Sequence, residues 1–177
     1  MQTKNIGRLL LILLFSGLIP TGCKLHCGLI YPEQLAFDED TFTGSTVTNL
    51  YFNVNCSTVS VKPSGGVGNK TCFGTSIEAT YRYGNSITDI VVTSDSTFNG
   101  LAPGTDLRQF ITVNEKTVPE FIQSLNGDHL AGYGSYNLSG MLTFTQAPTT
   151  NKTHHIQMTL HLQNGSVLSD VIRVNWP

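Results

Sequence analysis

Three histidines, His154, His155 and His161, are the first residues whose type could do chemistry, because imidazole is a metal ligand and an acid–base group near neutral pH. On an extended strand His155 and His161 share one face and His154 points to the other. Six strand residues hold the sharing pair about 20 Å apart. One ion cannot span that distance, so hydrogen-bonded or solvated histidines on a half-exposed strand are expected. Asp128-His129 would supply an acid–base pair and Ser124 or Ser135 a nucleophile, yet no Gly-x-Ser-x-Gly elbow presents either serine. Asp89, Asp95 and Asp106 would supply a glycosidase carboxylate pair if two of them met across a cleft. Aspartate is equally the common residue of turns and caps. Gly65-Gly66-Val67-Gly68 lacks the Lys-Ser/Thr ending of a phosphate loop and opens no helix. Tyr81, Tyr83, Tyr133 and Tyr136 stand near turns, where a sugar- or peptide-binding surface would use them, although scattered surface tyrosines are commoner. No catalytic residue, metal ligand or cofactor is assigned; an envelope hydrolase built on Asp128 and His129 is kept as an alternative.

The N-terminal segment has the three parts of an export signal: cationic Lys4 and Arg8, an apolar run from Leu9 to Ile19, and small residues Thr21 and Gly22. That run is shorter than the about 20 residues needed to cross a bilayer as a helix, and no later stretch is long and apolar enough to do so. The segment Ile19-Pro20-Thr21-Gly22-Cys23 resembles the lipobox of bacterial lipoproteins, with Pro20 where that pattern has Leu. The resemblance implies acylation of Cys23 as the mature N-terminus, so the partner expected first is a membrane, reached through lipid. Several acyl chains would hold the domain there durably, at about 0.8 kcal/mol for each buried methylene.

With Cys23 acylated, Cys27, Cys56 and Cys72 remain, an odd number. Cys56 and Cys72 are the expected disulfide, since both sit beside expected strand ends in an oxidising compartment; the loop they close is worth about 3 kcal/mol. Cys27 is then free or competes for a partner. Zinc-type ligand spacing is missing.

A net charge of −2 with scattered Lys and Arg creates no extended positive field, which argues against nucleic acid as a partner. Only 12% of residues are charged, while Ser, Thr, Asn and Gly are abundant, as in extracytoplasmic β proteins. Sequons begin at Asn55, Asn69, Asn137, Asn151 and Asn164. They support a second alternative, a secreted N-glycosylated β-domain of eukaryotic or viral origin.

These residues must be positioned by strands. Residues 1–22 are expected to be a signal peptide, 23–40 a lipid-anchored tether containing the acidic run Asp38-Glu39-Asp40, and 41–177 a single domain. Val47 to Val54 and Val59 with Val61 read as strands, followed by alternation through Ile77, Ala79 and Tyr81 and the β-branched run Ile87–Thr93. Thr117-Val118-Pro119-Glu120 fits a capping box ahead of a short helix through Phe121, Ile122 and Leu125, stopped by Asn126-Gly127. Thr105–Phe110 could add a helical turn. Strands return at Leu138–Thr145, at Ile156, Met158, Leu160 and Leu162, and at Val167–Trp176; the last two are joined by Asn164-Gly165, the dipeptide a type I′ turn requires. The fold class expected is mainly β: an antiparallel β-sandwich, immunoglobulin-like, with one or two short helices inserted mid-chain. A partly closed barrel is the structural alternative.

The stretches Ile87-Thr88-Asp89-Ile90-Val91-Val92-Thr93-Ser94-Asp95, Phe98-Asn99 and Pro103-Gly104-Thr105-Asp106-Leu107, with the Cys23-Lys24-Leu25-His26-Cys27 start and the Met158–Trp176 hairpin, resemble a family of uncharacterised Bacteroidetes lipoproteins. The resemblance spans most of the mature chain and implies export and a lipid anchor, with no catalytic residue to carry over. Surface-exported lipoproteins of that phylum tend to carry acidic residues after the acylated Cys. Lys24-Leu25-His26 stands here instead, which favours the periplasmic side of the outer membrane. The expected function is therefore a non-enzymatic cell-envelope lipoprotein, a binding or structural module whose partner is an envelope protein or glycan.

Overall fold

Apolar and polar residues alternate over Thr153–Leu162, and extended backbone turns that alternation into two faces. His154, Ile156, Met158, Leu160 and Leu162 are buried, whereas Thr153, His155 and Gln157 are exposed. The computed structural model describes residues 25–60, 79–126, 130–131 and 137–177. Within them the chain forms β1 (Leu25–Phe37), β2 (Thr41–Thr43), β3 (Thr48–Ser60), β4 (Ala79–Tyr83), β5 (Ile87–Ser94), β6 (Ile111–Val113), α1 (Val118–Leu125), β7 (Leu130–Ala131), β8 (Asn137–Phe144), β9 (Thr153–Leu162) and β10 (Val167–Asn175). A 3-10 turn, Arg108–Phe110, precedes β6 where a helical turn was expected.

The strands make a six-stranded sheet, β6-β8-β3-β1-β4-β7, and a four-stranded sheet, β2-β10-β9-β5. Phe52, Leu142 and Phe144 of the first sheet and Ile90, Met158 and Leu160 of the second belong to one buried cluster between them. The fold is thus a mainly-β sandwich rich in antiparallel pairs. In chain order, β1-β3-β8-β6 and β10-β9-β5 take the places of the A-B-E-D and G-F-C strands of an immunoglobulin sandwich. Two ladders are parallel, β1 with β4 and β10 with β2. The second arises because the chain leaves the six-stranded sheet after Phe37 and rejoins the other, where Arg173 N–H donates to Asp40 C=O at 3.0 Å.

That path overturns the expected tether at 23–40. Residues Leu25–Phe37 form an interior strand between β3 and β4, with Ile30, Leu35 and Phe37 buried. Ile30 and Leu35 are an odd number of residues apart, so no period of two joins them. A bulge between Pro32 and Gln34 shifts the register and returns both to the core side. Asp38, Glu39 and Asp40 are exposed, as expected of the acidic run. The two short strands expected over 47–61 are one long strand, β3.

Turn chemistry needs a correction too. At the β9–β10 hairpin only Gly165 has positive φ, 85°. Gly165 N–H donates to Leu162 C=O and Leu162 N–H to Ser166 C=O, each at 2.9 Å, which makes a three-residue loop with glycine in the left-handed position, not a type I′ turn. Paired positive φ values occur instead at Asn99-Gly100 (46° and 88°) and at Asn114-Glu115 (47° and 65°), each closing a two-residue turn. Helix α1 starts as expected: the Glu120 carboxylate accepts from the Thr117 amide at 3.0 Å and its hydroxyl at 2.7 Å. These bonds hold the Glu120 carboxyl below its ordinary range. Val118, Phe121 and Leu125 are buried.

Across the β3–β8 ladder Phe52 faces Gly140, and its ring lies where a side chain at Gly140 would be. A Cβ there would stand 2.2 Å from Phe52 Cζ. Phe52 is only 1% exposed and has no room to retreat. Gly140→Ala is expected to lower unfolding free energy by about 1–3 kcal/mol, measured by urea denaturation; an unchanged midpoint would show that the ring can move.

Candidate functional site

The end of β5 lies beside the start of β9, and the alternation of both strands sorts their polar residues into an inner and an outer pair. Ser94 and His154 face inward and are buried. The Asn151 carbonyl can only accept, so His154 Nε2 donates to it at 3.1 Å. Nδ1 therefore accepts from Ser94 Oγ at 2.7 Å, and Ser94 Oγ accepts from the Ser96 amide at 3.1 Å. Burial pushes the His154 pKa below its ordinary value, against the opposing pull of the Asn151 carbonyl and Asp95. The imidazole packs edge-on against Phe98 and Trp176, with ring centroids 5.4 and 5.3 Å away. A serine hydroxyl bonded to a histidine here is core architecture, with every partner committed.

The outer pair is open. Asp95 accepts from the His155 amide at 2.8 Å through one oxygen and from His155 Nδ1 at 2.7 Å through the other. Burial pushes the Asp95 carboxyl up, but the His155 amide and ring, helped by Ser96, outweigh it and leave the pKa below its ordinary value. With Nδ1 donating to Asp95, Nε2 is the ring nitrogen left to hydrogen-bond a ligand. Around the pair, Thr93, Ser94, Gly104, Gln157 and Val171 complete an open cleft of about 290 Å³. Its donors and acceptors suit a hydroxyl- or amide-bearing ligand. Of its two hydroxyl residues, Ser94 is already engaged inward.

His155 and His161 face outward while His154 faces inward, as their spacing implies, and no group of three metal-ligating residues occurs among the described residues. The three aspartates do not form one site. Arg108 bridges Asp89 at 3.2 Å and Asp106 at 2.6 Å, whereas Asp95 belongs to His155. Ser124 donates its hydroxyl to Phe121 C=O at 2.7 Å on α1. Asp128, His129, Ser135, Tyr133, Tyr136 and the glycine-rich run 65–68 lie outside the described residues, as do Cys23, Cys72 and Asn69.

No disulfide is formed among the described residues. Cys56 sits half-buried with its thiol directed to Val54 C=O, and burial raises its pKa, which keeps it a poor nucleophile. Tyr83 nearby is pushed up to about 12 by burial and by Cys56. Among the sequons, Asn151 and Asn164 are exposed outside the strands. Asn55 and Asn137 occupy directly opposite positions in the β3–β8 ladder. The pairing of Ser94 with His154 and of Asp95 with His155 was invisible in sequence, because 60 residues separate each pair and only the β5–β9 register joins them.

The neutral His154 makes stability depend on pH. Its folded pKa lies below 6.5, so the unfolded chain takes up the proton first. Stability is full above about pH 6.5 and falls, by at most about 1.4 kcal/mol for each pH unit, as pH drops toward the folded value. Urea denaturation at pH 8 and pH 5.5 is expected to show this loss, with a smaller loss in His154→Gln; an equal loss in both proteins would assign the dependence elsewhere.

Compared with known proteins, the chain matches no family model, and no curated protein matches it in sequence.

Proposed function

We propose that this chain is an exported cell-envelope lipoprotein, anchored through Cys23, whose sandwich acts as a binding module for an envelope protein or glycan. The observation that carries the proposal is the junction of leader and fold: the lipobox-like run ends at Cys23, and β1 begins at Leu25. Two residues span at most about 7 Å, so acylation at Cys23 would hold the sandwich at the membrane surface without a spacer. Lys24, Leu25 and His26 after that cysteine favour the periplasmic side of the outer membrane.

The outer faces supply the recognition chemistry. On the six-stranded sheet, Asn49 accepts from Thr143 at 2.9 Å and Asn53 from Ser139 at 2.5 Å, and Asn55 donates to Gln34 at 3.4 Å. Tyr51 stands 54% exposed on that polar face. The Asp95–His155 cleft occupies the other sheet. Side-chain amides, hydroxyls and an aromatic ring on a rigid surface are what a glycan or a polar peptide segment requires. The secreted glycoprotein remains the second reading, favoured by exposed Asn151 and Asn164.

Intact-mass measurement of the full-length gene product from a bacterial host decides between them. The mature protein is expected to carry acyl mass that disappears in Cys23→Ser. Identical unmodified masses in both would overturn the anchor. A deglycosylation shift after expression in a eukaryotic host would then favour the secreted reading.

A further inference from the structure

We propose that the row Asp95, His155, Arg173 and Thr41 on the outer face of the four-stranded sheet is a subsite for the carboxylate of an acidic sugar, an inference that rests on the glycan-binding role proposed above. The ladders bring the row together. Arg173 faces His155 across β9–β10 and Thr41 across β10–β2, and the Asp95 amide donates to His155 C=O at 3.2 Å. All four residues are exposed. Arg173 N–H donates to Asp40 C=O on the β2 side, so Arg173 and His155 form a non-hydrogen-bonded pair, the kind in which facing side chains stand closest. The two nitrogens of an imidazole point in nearly opposite directions. With Nδ1 turned to Asp95 at 2.7 Å, Nε2 is turned away from it.

Charge selects the occupant. Among the outward strand residues of this sheet, the formal charges are those of Asp89 and Arg173. Asp89 is bridged by Arg108 at 3.2 Å, and Asp95, just past β5, is taken up by His155 through both oxygens. Arg173 forms no ion pair and no side-chain hydrogen bond among the described residues. A guanidinium presents parallel N–H groups that fit a carboxylate two at a time, and His155 and Thr41 flank it along the row. The nearby Asp95 charge opposes a dianion such as phosphate more than a single carboxylate. His155 Nε2 donates to that carboxylate in the imidazolium form. Asp95 and the incoming carboxylate favour this form and Arg173 opposes it, while the other neighbours on that face, Thr153, Gln157 and Gly104, carry no charge.

The cleft beside the row takes the rest of the ligand. Arg173 borders it, opposite the lining residue His155 and two residues from Val171 on the same face. At about 290 Å³ the cleft is at the small end of ligand sites, so it suits a single ring. The Thr93 hydroxyl and the Gln157 amide can meet ring hydroxyls, and Val171, 48% exposed, offers an apolar surface to the ring's C–H groups. A hexuronate, one carboxylate on a ring of hydroxyls, has both parts.

Four probes test the subsite: the methyl glycosides of glucuronic and galacturonic acid, and those of glucose and galactose, each titrated into the isotope-labelled full chain and followed by amide shifts. Both acids are expected to shift Thr93, His155, Gln157, Val171 and Arg173 and to bind about fivefold tighter than their neutral partners, the size of an exposed ion pair. Arg173→Gln is expected to erase that preference at an unchanged melting temperature. Affinity for the acids is expected to rise as pH falls from about 8 to about 6, through the ordinary imidazole range, and His155→Gln to flatten the rise. Equal binding of acid and neutral glycosides at the row, or a preference that survives in a folded Arg173→Gln protein, would overturn the carboxylate subsite and leave the glycan reading standing. No shift at the row with any of the four would overturn both. If Arg173→Gln unfolds the domain, the comparison of the four glycosides decides alone.

Discussion

The interior of this sandwich must hold a histidine, two hydroxyls and an indole N–H away from water, and the way it satisfies them ties the fold together. Trp176 Nε1 donates to Thr48 Oγ1 at 3.0 Å, and that hydroxyl donates onward to Ser45 C=O at 2.9 Å. Ser94 and His154 satisfy each other a few ångströms away. Each such group left alone would cost about 1–3 kcal/mol, and no buried side-chain polar atom among the described residues is without a partner. Phe98, Phe144, His154 and Trp176 pack tilted or edge-on around these bonds, with centroids 5.3–5.9 Å apart. Thr48 and Phe144 come from one sheet, Ser94 and His154 from the other, Phe98 from the loop after β5, and Trp176 from the residue after β10. The same few contacts therefore set how the two sheets face each other and where the chain's last strand must end.

The chain changes sheets between β1 and β2 beside that closure. The chain must pass from the six-stranded sheet to the edge of β10, and the acidic run supplies the corner: Asp38 N–H donates to Tyr51 C=O on one side, and Asp40 C=O accepts from Arg173 on the other. Asp170 closes the seam by accepting from Phe37 N–H at 2.7 Å. From Arg173 onward β2 lines the edge of β10.

Sandwich architecture was legible because β8, β9 and β10 alternate apolar and polar residues and β5 is a β-branched apolar run, and α1 because Thr117 and Glu120 stand three apart ahead of an apolar run. β1 was not legible. Its bulge breaks the period between Ile30 and Leu35, and a buried proline together with exposed Glu33 and Gln34 in the middle gives the segment the composition of a linker. The turns misled for a related reason. Asn-Gly permits positive φ at both positions without requiring it; at Asn164 the side chain instead accepts from Ser166 N–H at 2.9 Å and its hydroxyl at 2.7 Å, which holds a three-residue loop. Glu115, with no propensity for positive φ, is held at 65° because Asn114 locks onto Met141 through both its amide and its side chain.

The candidate site shows why residue type alone could not find it. Ser94 with His154 and Asp95 with His155 are one step apart on the same two strands, so one pair must face the core when the other faces solvent. Read as sequence, the serine–histidine combination is the one that suggests nucleophilic chemistry. Read in three dimensions, it is the pair with no access and no spare partner, while the aspartate–histidine pair keeps a ring nitrogen free beside a cleft. Pleat parity, not the identity of either side chain, decides which histidine holds the core and which can meet a ligand.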